Sequence, residues 1–204
     1  MHTVTDLLAV HRTAVLASVD VVSAATRADL ARPTPCAGWN LGDLLTHMTV
    51  QHLGFAAAAQ GHGADIAVWE PATVSDAVHR DPAGAYATAA EQVLAAFAVD
   101  GVLDAPFALP EFGPGAVAPG AQAIGFHLVD YVVHAWDVAA TLGLPFDVAP
   151  EVLSAAAPIA FAVPDGDFRA ADGAPFGAAL PASGQGGEFD RMLRHLGRLP
   201  QWRP

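Results

Sequence analysis

The 204-residue sequence has no lysine and a single cysteine, Cys36. With one cysteine, an intramolecular disulfide and a cysteine-rich zinc module are both excluded. Positive charge is also scarce: 9 Lys+Arg, all of them arginine, stand against 21 Asp+Glu and give a formal net charge of −12. A chain with this charge repels phosphate backbones and anionic lipid surfaces, so we expect neither nucleic acid nor a membrane as its partner.

A long uninterrupted apolar run is absent as well. The most apolar stretch, residues 121–144, contains His127, Asp130, His134 and Asp137. A helix facing lipid would not tolerate these side chains. The N-terminal residues also lack the basic and apolar regions of a signal peptide. We therefore expect a soluble, cytoplasmic protein, and its 53% of hydrophobic residues is enough to build a buried core.

The apolar residues that are present recur with helical periodicity in four long segments and two shorter ones. The long segments are residues 5–30, 41–60, 82–99 and 121–142, and the short ones are residues 151–161 and 188–196. Asn40 is the expected N-cap of the second segment, and Gly143 is placed to end the fourth. Four long amphipathic helices in one chain predict a mainly all-α fold built on a four-helix bundle.

The domain organisation follows from the segments between these helices. Residues 103–120 are rich in Pro and Gly and predict extended structure and turns. We expect residues 1–145 to form the bundle, with residues 103–120 as its longer crossover. Residues 146–204 then form a small, irregular C-terminal extension of helix, loop and short helix that packs on the bundle.

The fourth long segment carries a row of polar side chains along an otherwise apolar helix. Asp130 and His134 are spaced i, i+4 and lie on one face, with His127 three residues before Asp130 and Asp137 three residues after His134. Burying such groups costs on the order of several kcal/mol unless they are paired or bind a metal. A divalent cation would satisfy the row. A hydrogen bond within the helix would also satisfy the Asp130–His134 pair, so spacing alone leaves both interpretations open.

His47, on the second long segment, is the third candidate ligand. Gly54 and Ala58 share its helical face and leave room beside the imidazole. One carboxylate and two imidazoles with an open position are typical of a catalytic zinc or similar site, whereas a closed structural site uses four protein ligands. A metal with an open position lowers the pKa of a bound water or thiol and polarises a carbonyl.

Other residues each have a functional and a structural interpretation. Asp137 either orients a ligand imidazole or lies on the helix surface or at a cap. Trp39 and Trp136 either wall a substrate cavity or pack in the core. Cys36, just before a helix N-terminus, is either a reactive thiol or a small packed residue.

The tail arginines and the remaining histidines are also open. The tail arginines either reach an anionic ligand with a bidentate guanidinium or lie on a solvated face; they are Arg191, Arg194 and Arg198. The remaining histidines show no ligand spacing and are interpreted as surface or core residues; they are His2, His11, His52, His62, His79 and His195.

Three segments resemble a known family. Residues 34–47, TPCAGWNLGDLLTH, resemble the start of the second helix in actinobacterial proteins related to mycothiol-dependent maleylpyruvate isomerase. Residues 130–139, DYVVHAWDVA, resemble the carboxylate-x-x-x-His-x-Trp-Asp segment of that family, and residues 189–198 resemble the tail of its short members, which lack assigned functions. The resemblance implies a DinB-like four-helix bundle that holds a divalent metal.

The same resemblance implies a ligand set and a chemistry. The ligands carried onto matching positions are His47, Asp130 and His134. The implied activity is that of a metal-dependent enzyme in which zinc, or alternatively nickel, activates a low-molecular-weight thiol such as mycothiol. The thiol would then isomerise a small-molecule substrate or be transferred to it. The family usually has Glu where this chain has the shorter Asp130, so His127 is the alternative ligand if Asp130 does not reach the ion.

The chain is too short to hold the full C-terminal domain of the isomerase. The resemblance therefore does not imply that this protein catalyses the isomerase's own reaction. One alternative is a non-catalytic dimeric bundle or a ligand-binding protein with a vestigial metal site, which gains support if His47 lies far from Asp130 and His134. A further alternative is a metal-assisted hydrolase.

Overall fold

A computed structural model describes residues 4–170, 176–181, 184 and 186–204. His2 and residues 171–175, 182–183 and 185 of the irregular loop expected near the C-terminus lie outside the described residues. The described part forms seven α-helices: α1 (Val4–Val22), α2 (Leu41–Ala59), α3 (Ala72–Arg80), α4 (Pro82–Phe97), α5 (Gly120–Leu142), α6 (Pro150–Ala162) and α7 (Glu188–His195). Three short 3₁₀ turns lie at residues 66–69, 110–112 and 167–170. The expected mainly helical fold is confirmed.

The four long helices pack side by side. α2 lies against α4 and α5, and α1 lies against the same two helices. Their shared core contains the fully buried Leu44, Met48, Tyr86 and Tyr131. α6 packs on α1 and α5, and α7 packs on α6, where Met192 lies in the core cluster that α1 and α5 share with α6. No helix in the described residues has both the length and the apolar character needed to cross a membrane.

Local sequence explains the ends of the central helices. Asn40 caps α2 in a capping box, because its side chain accepts a hydrogen bond from the Asp43 backbone N–H while the Asp43 side chain accepts one from the Asn40 N–H. Gly143 ends α5 in the left-handed conformation, with φ of 71°. Both predicted helix ends are therefore confirmed.

One sequence prediction about a helix was wrong, and one helix was missed. α1 ends at Val22 and not near Leu30, because the Asp29 carboxylate accepts hydrogen bonds from the backbone N–H and hydroxyl of Thr26 and closes a turn in place of helix. α3 was not predicted, since only Val74 and Val78 of its nine residues are buried and two apolar positions make a weak periodic signal.

The Pro/Gly-rich crossover forms a β-hairpin. Strands β1 (Pro106–Ala108) and β2 (Val117–Pro119) pair in antiparallel register with Phe107 opposite Ala118. Gly120 follows directly, and a Cβ there would lie 1.8 Å from the carbonyl oxygen of Val102, so the close approach of the two chain segments requires glycine. At the hairpin tip, Phe112 stacks on Phe126 of α5 with ring centroids 5.2 Å apart. The tip is thereby held against α5.

Candidate metal centre

The structure brings the three expected ligands together. Their ligand atoms all lie within 4.8 Å of one another. Nε2 of His134 is 3.3 Å from Oδ1 of Asp130, and Nε2 of His47 is 3.8 Å from Oδ2 of the same carboxylate. Two of these side chains come from adjacent turns of α5 and the third from α2, so packing of α2 on α5 closes the group. We call His47, Asp130 and His134 the ligand cluster.

The ligand cluster lies at the edge of the core. The His134 side chain is 4% exposed, while those of Asp130 and His47 are 25% and 28% exposed, so one side of the cluster faces solvent. Trp39 lies over this side, with its ring centroid 5.0 Å from that of His47 and 6.5 Å from that of His134. Trp39 therefore forms a wall of the open face, whereas Trp136 packs on the hydrophobic core that α1 and α5 share with α6.

Electrostatics couple Asp130 to the two imidazoles. Burial alone would raise the pKa of Asp130, but His134 and then His47 outweigh burial and hold that pKa well below the ordinary Asp value. Burial alone would lower the pKa of His134, but Asp130, Asp137 and Cys36 raise it well above the ordinary His value. Without a metal the pair is an ion pair in which a proton on His134 supplies the positive charge. A bound cation would replace that proton.

The second ring nitrogen of His134 is occupied. Oδ2 of Asp137 lies 2.9 Å from its Nδ1, and the Asp137 side chain is fully buried. A hydrogen bond at Nδ1 fixes the ring so that Nε2 faces Asp130 and can bind a metal. Asp137 is buried within α5 and is neither a surface residue nor a cap, so of its two interpretations the geometry favours the orienting one.

Asp137 is itself held by a residue of the C-terminal tail. Nη2 of Arg198 donates to Oδ2 of Asp137 at 3.2 Å, and Nη1 donates to the carbonyl oxygen of Leu196 at 2.8 Å. Arg198 is only 5% exposed. Of the three tail arginines, Arg194 instead bonds Pro181 and Gln201, and Arg191 is exposed. Only one of the three predicted candidates therefore reaches the centre, and it binds a carboxylate of the protein itself.

Cys36 joins the same network. Its thiol donates to Oδ2 of Asp137 at 3.1 Å, and its sulfur lies 3.8 Å from Nδ1 of His134 and 3.4 Å from Nη2 of Arg198. Cys36, His134 and Asp137 thus form a second group with ligand atoms close enough to hold a metal. A guanidinium already supplies positive charge at this second group, which makes it a poorer cation site than the ligand cluster.

His127 is not turned towards the ligand cluster. It is fully buried, its Nδ1 lies 2.8 Å from Nε2 of His11, and its Nε2 lies 3.2 Å from Nδ1 of His52. Both ring nitrogens are occupied, while Asp130 reaches the imidazoles of His47 and His134, so the geometry gives no support to His127 as the alternative ligand. We call His11, His127 and His52 the imidazole chain.

The imidazole chain is a core feature. The rings of His52 and His127 stack on Tyr131 with centroids 3.9 Å and 4.1 Å away. Burial lowers the pKa of all three imidazoles, and lowers that of His11 to about 3, so the chain is uncharged at neutral pH. His11 and His52 are therefore core histidines, one of the two structural interpretations that the sequence left open.

Glu111, at the hairpin tip, was not predicted from the sequence. Both of its carboxylate oxygens accept from Nε2 of Gln51 at 2.8 Å, and Gln51 lies on α2 one turn after His47. The charges of His47 and Asp130 both act on the pKa of Glu111. Glu111 lies between Pro110 and Gly113 in a turn-forming segment, and its partner Gln51 is 60 residues away in the sequence. The sequence therefore carries only a weak signal for this contact.

The fold and the ligand cluster together define a helical bundle with a candidate His–Asp–His metal centre. The chain belongs to the mycothiol maleylpyruvate isomerase N-terminal domain family, whose family model matches residues 11–139. Uncharacterized proteins from two strains of Mycobacterium tuberculosis, CDC 1551 and H37Rv, are each 31% identical to it over 174 residues, which cover 84% of this chain and 87% of theirs.

Solved structures give the same fold. The crystal structure of the mycothiol-dependent maleylpyruvate isomerase matches with a TM-score of 0.58 and 13% identity, covering 78% of this chain and 70% of that one. A histidine-to-alanine mutant of that isomerase matches with a TM-score of 0.59, 12% identity and the same coverage. At these identities the likeness establishes the shared fold.

Proposed function

We propose that this protein is a metal-dependent enzyme in which a divalent cation, held by His47, Asp130 and His134, activates a low-molecular-weight thiol. The observation that carries the proposal is the convergence of the three side chains on a face that is open to solvent. The family name makes mycothiol the candidate thiol and a small electrophilic molecule the candidate substrate. Isomerisation or S-transfer is the expected reaction class.

The chemistry of the donor set suits a divalent metal. Two imidazoles and one carboxylate leave a tetrahedral ion one open position, and zinc is the cation that most often uses this set, with nickel as the alternative. When bound, the metal lowers the pKa of a thiol so that the nucleophilic thiolate forms at neutral pH.

The protein's own residues prepare the centre. Asp137 holds His134 by its Nδ1, and Arg198 holds Asp137, so the ligand that lies deepest is fixed before any cation arrives. Preorganised ligands bind more tightly because less freedom is lost on binding. Trp39 lies beside the open face, with its ring centroid 5.0 Å from that of His47, and would form one wall of the space that a bound thiol occupies.

Elemental analysis tests the proposal. Protein purified without chelators and then incubated with zinc should hold one zinc per chain, and His134→Ala should hold none. His79→Ala is the matched control, because His79 is exposed on α3 and does not belong to the ligand cluster. A folded wild-type protein that binds no divalent metal would end the proposal. A panel of small thiols then identifies the cosubstrate, and metal-dependent turnover without any thiol would favour the hydrolase alternative.

A ligand-binding protein without catalysis is the second candidate. The 3.8 Å approach of His47 to Asp130 counts against it, and one observation favours it. A groove of about 530 Å³ lies between α2, α3 and α4. Its lining includes Leu53, Val74, Arg80 and Asp81, and none of the ligand cluster. A ligand that binds with equal affinity to wild type and to His134→Ala would support this function.

A further inference from the structure

We propose that Glu111 is the proton acceptor of the candidate centre: its carboxylate takes the proton that a thiol loses on binding and returns it when the thiol leaves. This inference rests on the proposed function. In the step, the S–H bond breaks, its electron pair stays on sulfur, and the proton moves to an Oε atom of Glu111. The reverse transfer restores both groups, so no other reactant is needed.

The hairpin tip places Glu111 beside the ligand cluster. The tip is attached to two helices, by Glu111 on Gln51 of α2 and by Phe112 on Phe126 of α5. Gln51 is four residues after His47, and Phe126 is four residues before Asp130. Residues four apart on a helix are neighbours on one face. Both anchors therefore lie one turn from a candidate ligand, and the tip spans the gap between them.

Glu111 bonds Gln51, one helical turn from His47, and does not join the ligand cluster. The groups of described residues whose ligand atoms all lie within 4.8 Å do not include Glu111. The other nearby acid, Asp137, is already committed to Arg198 and His134. Each carboxylate oxygen has a second lone pair, so the bond from Gln51 leaves Glu111 able to accept a proton. A carboxylate beside a metal, but not on it, is where a general base is needed.

The environment of Glu111 suits reversible protonation. Although the residue as a whole is exposed, removal of its carboxylate from water raises its pKa, and the negative charge of Asp130 acts in the same direction. The hydrogen bond from Gln51 and the charge of His47 act the other way, and the net effect is a raised pKa. A carboxylate with a raised pKa holds a transferred proton more readily than an ordinary Glu does.

The pH dependence of thiol affinity tests this role without needing a substrate. The probe is cobalt-loaded protein titrated with N-acetylcysteine, with binding followed by the thiolate-to-cobalt absorption band. If Glu111 keeps the proton, binding releases none, and the wild-type Kd should change less than about threefold between roughly pH 6 and pH 8. Glu111→Gln keeps an oxygen that accepts the hydrogen bond from Gln51. In this variant the proton goes to solvent, and the Kd should fall about tenfold for each unit by which the pH rises.

Two controls separate the possible failures. Glu91→Gln, at an exposed position on α4, should behave as wild type. The cobalt content of Glu111→Gln should equal that of wild type, which shows that the centre is intact. Equal pH dependence in wild type and Glu111→Gln would overturn the role of Glu111 alone. Wild-type protein that binds neither cobalt nor the thiol would overturn the proposed function and this inference together.

Discussion

The ligand cluster and the imidazole chain lie one helical turn apart on α5, yet histidine behaves differently in each. In the ligand cluster, His134 lies between two carboxylates, Asp130 and Asp137, which raise its pKa. In the imidazole chain, His127 contacts other imidazoles and aromatic rings, and burial lowers its pKa. The comparison shows that neighbouring carboxylates and access to solvent, and not histidine content, separate a candidate metal site from a core network.

The largest predicted effect concerns stability: the imidazole chain should lower the free energy of unfolding of the metal-free protein at acid pH. Between the folded pKa of His11, about 3, and its ordinary value of 6.5, the unfolded chain binds a proton that the folded chain does not. The free energy of unfolding therefore falls as the pH drops below 6.5, by about 2 kcal/mol for His11 alone at pH 5. His134 has a raised pKa, so its stabilising contribution grows as the pH falls towards 6.5 and is complete below that value. It offsets part of the loss measured from pH 7.5, and it does so equally in wild type and in a variant of His11.

Urea denaturation at about pH 7.5 and pH 5 measures the effect. His11→Phe should reduce the loss at acid pH by about 2 kcal/mol, because the unfolded chain then has one fewer histidine that takes up a proton. His62→Ala, at an exposed position, should keep the wild-type loss. A free energy of unfolding that is constant over this pH range would show that the three histidines of the imidazole chain are not both buried and uncharged.

Asp137 is expected to set the metal affinity of the ligand cluster. In Asp137→Asn the side-chain amide can donate to Nδ1 of His134, which favours the wrong tautomer of the ring, so zinc affinity should fall about 10- to 100-fold. Competition with a chromophoric chelator measures the affinity. Asp147→Asn is the control, since Asp147 is exposed beyond the end of α5. Unchanged affinity in Asp137→Asn would mean that the ring is oriented by packing alone.

Cys36→Ser should have the smallest effect, and it decides between the two candidate metal groups. A serine hydroxyl keeps the hydrogen bond that the thiol donates to Asp137. If the ion binds the ligand cluster, zinc affinity should change less than about threefold, as expected for a residue outside the coordination shell. A large loss of zinc affinity would instead show that the ion binds the group of Cys36, His134 and Asp137.

Sequence reasoning reached the parts of the centre that one helix encodes. The i, i+4 spacing puts Asp130 and His134 on one face, and the capping pattern at Asn40 fixes where α2 begins. His47 was joined to them partly through the family resemblance, since spacing along α5 says nothing about α2. Arg198 could not be assigned, because it is 61 residues from Asp137 and reaches it only through the packed tail.

The same limit explains the other omissions. Glu111 depends on how the hairpin tip rests on two helices, and the imidazole chain depends on the relative rotation of α1, α2 and α5. Neither leaves a periodic pattern in the sequence, because each contact joins residues far apart in the chain. Patterns within one element were therefore predictable, and contacts between elements required the fold.

The central claim is that His47, Asp130 and His134 bind one cation, and anomalous scattering from crystals grown with zinc tests it most directly. The account predicts a single zinc peak per chain at about 2.0–2.2 Å from one nitrogen of each histidine and one oxygen of Asp130. A zinc peak at Cys36 and Asp137, or no peak in a well-ordered crystal, would contradict it.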